Sequence, residues 1–500
     1  MITTSSIRFI GRSIGICLLA AHAGLALAQT PPPAPVATAA APEQPKLNVV
    51  ATLYADTCAS CHGETMAGGR GPTLLDHTWI HGGSDADIAH SIREGWLSAG
   101  MPPFKAAFDE QKIRSMVIYI REMQAKARNG ELSRTALPPP FPDQIVSEKQ
   151  TFRVETVAEG LDMPWGMVFL PDGRILVTER PGNLRIIDHG KVGAPITGVP
   201  AVWEKQDGGM FDVALHPDYA KNGWIYLAFS EPDLVAKKPG ASTTRVVRGR
   251  IRDGAWVDQQ TLFQAPPELY WDDNTHFGIR FLFDKKGHLF YSLGDRGHLD
   301  TPQDLSSPYG KLHRVMDDGS IPADNPFVNT PGAVKSIWTY GNRNQQGLSF
   351  DPVTGNLWAT EHGPRGGDEL NLIIKGHNYG WPVITYGMNY DGTPITDLTA
   401  KEGMDQPVVY WTPSIATGAI TFYSGKRYPK WQNNLFLGAL AGQQLLRIEI
   451  KHNKVVHQEV LFRGYGRVRD VVVGPDGLLY VALNNPNKEP AKIVRLVPIN

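Results

Sequence analysis

Two periodicities divide the chain. Between residues 47 and 127 apolar positions recur at helical spacing: Leu47, Val50, Leu53 and Tyr54 fall on one face, and Ile113, Met116, Val117 and Ile120 on another. From about residue 151 that spacing disappears and a β pattern replaces it. A turn followed by a short apolar strand occurs six times: Asp172-Gly173-Arg174-Ile175-Leu176-Val177, Asn222-Gly223-Trp224-Ile225-Tyr226-Leu227, Lys286-Gly287-His288-Leu289-Phe290-Tyr291, Thr354-Gly355-Asn356-Leu357-Trp358-Ala359, Asn433-Asn434-Leu435-Phe436-Leu437 and Asp476-Gly477-Leu478-Leu479-Tyr480-Val481. Most copies follow another short strand that ends in a proline or acidic turn, as in Val168-Phe169-Leu170-Pro171. A spacing of roughly 40–50 residues, with longer insertions in the middle, is that of propeller blades. The expected fold is multidomain: a small all-α unit over 47–127 and an all-β six-bladed propeller over 151–500. An open β-sandwich uses similar hairpins but does not call for the repeat.

The flanking segments read differently. Residues 1–28 have the form of a signal peptide, with Arg8 and Arg12 before an apolar run from Ile14 to Ala28 and small residues at Ala26-Leu27-Ala28. A membrane anchor is the other reading, but His22 and Gly24 break the run, which falls short of the roughly 20 apolar residues of a span. A periplasmic protein with no membrane span in the mature chain is expected. Residues 29–46 are a Pro/Ala-rich tether. Residues 128–150 form a second linker, with Asn129-Gly130 as a helix stop and Leu137-Pro138-Pro139-Pro140-Phe141-Pro142 as a stiff stretch. Five hundred residues exceed one ordinary core, and a net charge of −1 provides no basic field for nucleic acid.

Cysteine usage narrows the chemistry of the first unit. Of three cysteines, Cys17 would leave with the signal peptide, and the other two stand in Cys58-Ala59-Ser60-Cys61-His62. This is the attachment pattern of a c-type haem: two thiols one helical turn apart meet the vinyl groups, and the adjacent His reaches iron. A zinc site would need further ligands, for which His77, His81 and His90 are available, and a simple disulfide is the third reading. Export, the His and the size of the unit favour haem. Gly100-Met101-Pro102-Pro103-Phe104 resembles the Gly-Met-Pro loop of bacterial cytochromes c, making Met101 the candidate sixth ligand, with Met66 and Met116 as rivals. A His/Met iron has a raised potential and suits electron transfer.

The most unusual stretch of the second unit is 340–382: Tyr340-Gly341-Asn342-Arg343-Asn344-Gln345-Gln346-Gly347, then Glu361-His362-Gly363-Pro364-Arg365-Gly366-Gly367-Asp368-Glu369, then Asn378-Tyr379-Gly380-Trp381-Pro382. Clustered Gly, Asn and charges bury little apolar surface and look like a shaped loop for an anion or a metal. With Gln206-Asp207-Gly208-Gly209, Thr275-His276-Phe277-Gly278, Gly310-Lys311-Leu312, the stretch from Gly319 to Phe327, and Arg467-Val468-Arg469-Asp470, it resembles the PQQ-dependent soluble aldose sugar dehydrogenases of the glucose/sorbosone dehydrogenase family over about 152–498.

The resemblance implies roles. His276 would be the base that takes the C1 hydroxyl proton while hydride passes to the quinone. Arg343 and Asn344 would polarise the quinone oxygens. Arg467 and Arg469, with Gln206, would hold the cofactor carboxylates, a task for fixed cations and forked donors. Calcium on the quinone would take the carbonyls of Gly363 and Pro364, and a second calcium would use Glu369 and Tyr379. Tyr390 and the Thr417-Gly418 turn would also touch the cofactor. Gln345, His362 and Thr417-Gly418-Ala419 depart from the family pattern and bear on the shape of the pocket. Together the units imply a quinohaemoprotein that oxidises an aldose sugar to a lactone and passes single electrons through haem c to a respiratory electron acceptor. A calcium-dependent propeller lactonase and a non-catalytic haem-bearing sugar-binding protein are the alternatives.

Overall fold

In the first region, helical spacing becomes helix where polar residues cap it. The computed structural model describes residues 48–76, 78–129, 139–233, 240–484 and 491–499. The expected signal peptide, the first tether, Leu47, His77 and residues 130–138 of the second linker lie outside the described residues. Helix α1 (Val49–Thr57) begins at Asn48, whose side chain accepts from the Ala51 N–H, and buries Val50 and Tyr54. A single turn, α2 (Ala59–His62), follows from Cys58. Helix α3 (Asp85–Glu94) opens on a capping box between Ser84 and Asp87 and buries Ile88 and Ile92. Helix α4 (Glu110–Arg128) opens on Asp109, carries Lys126 and Arg128 in its last turn, and buries Ile113, Met116, Val117 and Ile120. These faces meet in one core with Met66 and Phe108. No helix among the described residues is long and apolar enough to cross a membrane.

The second region is a six-bladed β-propeller. Each of the six repeated turns joins the first and second strands of an antiparallel blade, with Phe169 opposite Ile175, Leu215 opposite Ile225, Phe283 opposite Leu289, Phe350 opposite Leu357, Phe422 opposite Leu435 and Val473 opposite Leu479. Five blades are continuous in sequence. The sixth is completed by strand Thr151–Leu161, which pairs along Ala491–Pro498 and closes the ring. Closure removes the two edges that an open array would leave unpaired.

Topology assigns the ends of the propeller. In an up-and-down blade the repeated turns lie at one end. The connections from second to third strand, and from the last strand to the next blade, lie at the other. Residues 203–209, 272–277, 294–310, 341–344, 362–367 and 412–416 therefore share that second end. A further regularity appears there. The first strand of every blade slips register near its start: between Pro164 and Met167, Met210 and Val213, Gly278 and Phe281, Gln345 and Gly347, Thr417 and Ile420, and Val468 and Asp470. Such bulges re-aim side chains. They carry Asp212, Arg280, Gln346, Gly418 and Arg469, and Arg280 donates at 3.0 Å to Asp212 and at 3.1 Å to Asp470, joining three blades.

Candidate active site

The helices enclose a cavity of about 520 Å³ walled by Cys58, Cys61, His62, Met101, Met116 and Ile120 among others. His62 is aimed by its own loop: its Nδ1 lies 2.8 Å from the Pro72 carbonyl, which leaves Nε2 for a ligand. Gly71 permits this, since a Cβ there would stand 2.9 Å from the His62 ring. Met101 is held by a reciprocal main-chain pair with Trp96, at 2.8 and 3.1 Å, which folds Leu97–Ala99 into a short turn. Of the rival methionines, Met116 is on the wall, and Met66 is buried in the core without lining the cavity. His81, a ligand in the zinc reading, stacks on Trp96 with ring centroids 3.7 Å apart, and no cluster of three or more His, Cys, Asp or Glu among the described residues is arranged to hold a metal.

At the loop end of the propeller, His276 sits on the connection from the second blade to the third with a left-handed φ of +46°, a conformation its surroundings must enforce. Its Nδ1 lies 2.7 Å from the Asp295 carboxylate. Asp295 also accepts from Gly297 N–H at 2.9 Å and Trp381 Nε1–H at 2.7 Å, and its own N–H donates to the Arg343 carbonyl at 2.8 Å. Burial alone would raise the Asp295 carboxyl, but the His276 ring, Arg343 and the Gly297 N–H outweigh it and hold the group below its ordinary range. An ionised Asp295 only accepts, so the His276 proton belongs on Nδ1 and Nε2 is the free nitrogen. Sequence reasoning missed Asp295 and the role of Trp381. The available signal was Gly294-Asp295-Arg296-Gly297, a polar run directly after strand Leu289–Leu293.

Three arginines lie near this dyad without direct ion pairs, although the Asp207 carboxylate offsets part of the cost at Arg467 and Arg469. Arg343, Arg467 and Arg469 make no ion pair among the described residues, and the Nε atoms of Arg343 and Arg469 are buried without a partner. Burial pushes Arg467 down and Arg469 down to about 9, with Arg467 and Arg280 adding repulsion at Arg469. Arg343 donates to the carbonyls of His362 at 3.0 Å and Gly363 at 2.7 Å. Asn344 accepts through Oδ1 from Gly278 N–H at 3.0 Å and Gln346 Nε2 at 3.2 Å. Gln345 is buried with neither amide atom partnered, and His362 has a buried, unpartnered Nε2 and is kept neutral by burial and the nearby Arg469. Uncompensated buried cations are costly unless a ligand supplies the charge. An anion with several carboxylates fits.

The remaining predicted residues divide. Glu361 and Glu369 are directly opposed across two strands, and burial raises both carboxyls, Glu361 adding repulsion at Glu369. Opposed like charges are unfavourable, and a divalent cation there would relieve them. Tyr379 uses its hydroxyl locally, donating to Leu372 O at 2.7 Å and accepting from Ile374 N–H at 2.8 Å, so only its carbonyl is free for an ion. Gln206, at φ +49°, is exposed, and its carbonyl accepts from Arg180. Thr417 donates to the Glu361 carbonyl at 3.1 Å, and Gly418 lies on the fifth blade's bulge. Tyr390 stands apart: it is 70% exposed, and its carbonyl accepts from Arg365.

The family model described as glucose/sorbosone dehydrogenase matches residues 161–495, and that of subunit III of cbb3-type cytochrome c oxidase matches residues 45–120. The aldose sugar dehydrogenase YliI of Escherichia coli (strain K12) is 42% identical over 350 residues, spanning 69% of this chain and 93% of that protein. The crystal structure of the soluble aldose sugar dehydrogenase from Escherichia coli in its apo-form aligns with a TM-score of 0.65 at 40% identity, over 70% of this chain and all of that one. The PQQ-bound form of aldose sugar dehydrogenase from Streptomyces coelicolor aligns with a TM-score of 0.56 at 27% identity, over 72% of this chain and 99% of that one.

Proposed function

The chain belongs to the glucose/sorbosone dehydrogenase family and carries an N-terminal cytochrome c domain, and from that premise we propose that it is a periplasmic quinohaemoprotein oxidising aldose sugars to lactones. The observation that carries the reading is the set of arginines without ion pairs near the His276–Asp295 dyad, Arg343 buried and Arg467 and Arg469 half-buried. PQQ, when bound, supplies an acceptor for the hydride of the sugar carbon. Arg467 and Arg469, with Gln206, would hold its carboxylates, and Arg343 and Asn344 would polarise its quinone oxygens. The free Nε2 of His276 takes the proton of the anomeric hydroxyl, and the Asp295 charge stabilises the imidazolium that results. Gly363 and Pro364 offer carbonyl oxygens to calcium at the cofactor, and Glu369 with the Tyr379 carbonyl offers oxygens to a second ion.

Cys58 and Cys61 would hold haem c, His62 and Met101 would ligate its iron, and the group would supply single-electron transfer toward a respiratory acceptor. Export on residues 1–28 places the protein where such haem is attached. Protein made in a host without PQQ should be inactive and should gain aldose-dependent dye reduction when PQQ and calcium are added. Full sugar oxidation by chelated, quinone-free protein would refute the reading.

A further inference from the structure

Two residues after Gly363, whose carbonyl Arg343 contacts, Arg365 sends its guanidinium to the cytochrome domain. Its Nε donates to Glu122 of α4 at 2.8 and 3.0 Å and its Nη2 at 2.6 Å, a forked pair. Its Nη1 donates at 2.9 Å to Oδ1 of Asn48, the cap of α1. The guanidinium lies 5.7 Å from the Tyr119 ring, which meets Tyr54 edge-on at 5.9 Å, and Tyr54 is on the wall of the cytochrome cavity. The side chains of Arg365 and Glu122 are only 10% and 16% exposed, so salt screens this pair poorly.

The surrounding surface is fitted, not merely adjacent. Val49 N–H donates to Asp391 O at 2.8 Å, and Arg114 donates to Thr396 O at 2.8 Å. Met388 is buried with the cytochrome core and is joined to Arg365 by two main-chain bonds of 3.0 Å. Gly392, at φ +91°, leaves room for Val50: a Cβ there would stand 3.0 Å from the Val50 nitrogen.

The geometry points to Arg365 as a positioning residue that fixes the cytochrome domain on the loop whose other side faces the cofactor pocket. The two domains are docked, not merely tethered. The consequence for electron exit rests on the function proposed above, but the docking itself does not. Removing one charge strands the other in a buried contact, whereas exchanging the two preserves the pair.

Hydrogen exchange on the full haem-loaded chain reads the dock directly through peptides containing Val49 and Met388, with strand Leu435–Ala439 as the control for propeller folding. Arg365→Glu and Glu122→Arg should each speed exchange at both peptides, on the order of 100-fold. The double variant Glu122→Arg/Arg365→Glu should recover at least about tenfold of that loss. Wild-type exchange in both single variants, or a double variant no slower than the singles, overturns the proposal. Should Arg365→Glu fail to fold, Glu122→Arg carries the test. With PQQ, calcium and glucose, Glu122→Arg should keep dye reduction and lose sugar-driven haem reduction by about tenfold or more; unchanged haem reduction overturns the link to electron exit. A protein that oxidises no sugar at all refutes the functional reading and leaves the exchange result to decide the dock.

Discussion

The cavity in the cytochrome domain is walled by apolar side chains such as Ile88, Ile92, Met116 and Ile120, with His62 and Met101 as its donors, whereas the loop end of the propeller gathers Arg343, Arg467 and Arg469 without ion-pair partners among the described residues. One calls for a large flat apolar group with a metal, the other for a small polyanion. The difference reaches stability. The helices around this cavity depend on the group it holds, because apolar walls gain packing only from what they contact. The propeller closes its ring through Thr151–Leu161 and its strand ladders, and its packing rests on its own side chains.

The largest effect should come from emptying the first cavity. Cys58→Ala/Cys61→Ala should lose covalent haem, seen as loss of the haem-stained band, and melt the helical domain while the propeller transition stays close to wild type. A propeller that unfolds together with the haem-free helices would break the contrast. Next, His276→Ala should slow sugar oxidation by about 10²–10⁴-fold in dye assays without changing the haem spectrum. Asp295→Asn should fall between that variant and wild type. A wild-type rate in His276→Ala puts the base elsewhere.

Arg469→Ala sharpens the claim that the pocket charges are there for a ligand. It should weaken PQQ binding by about 10- to 100-fold, the worth of charge-assisted bonds, in titrations of the apo-protein. The same change should raise the melting temperature of the apo-propeller, because it removes a buried unpaired cation. A lower melting temperature would make Arg469 a structural residue.

The smallest effect lies far from either cavity. Hydrogen bonds from Arg447 and Lys149 hold the Glu449 carboxyl at about 2, below its ordinary 4.5. Its contribution is therefore present above about pH 4.5 and is lost as pH falls toward 2. Its side chain is 15% exposed, and the term is at most about 3 kcal/mol. Glu449→Gln should flatten the acid limb of the stability profile in that window, and an unchanged limb assigns the slope to other carboxylates.

What the sequence disclosed follows from distance along the chain. The six hairpins were legible because turn and strand are neighbours, and so were the buried faces of α1 and α4. The bulges were not, since each is a local slip set by the blade around it. His276 was visible only through resemblance, and its partner Asp295 stands 19 residues on, beyond a two-strand hairpin. Tyr390 was assigned to the pocket through resemblance, but the neighbouring Asp391 carbonyl accepts from Val49 of α1. The Arg365–Glu122 pair joins residues 243 apart, a separation at which no local pattern links them.

The circuit from sugar to haem is tested most directly by anaerobic stopped-flow mixing of glucose with the full chain carrying haem, PQQ and calcium. Haem should become reduced at a rate independent of protein concentration, as transfer within one docked molecule requires. No haem reduction, or a rate that rises in proportion to protein concentration, would contradict it.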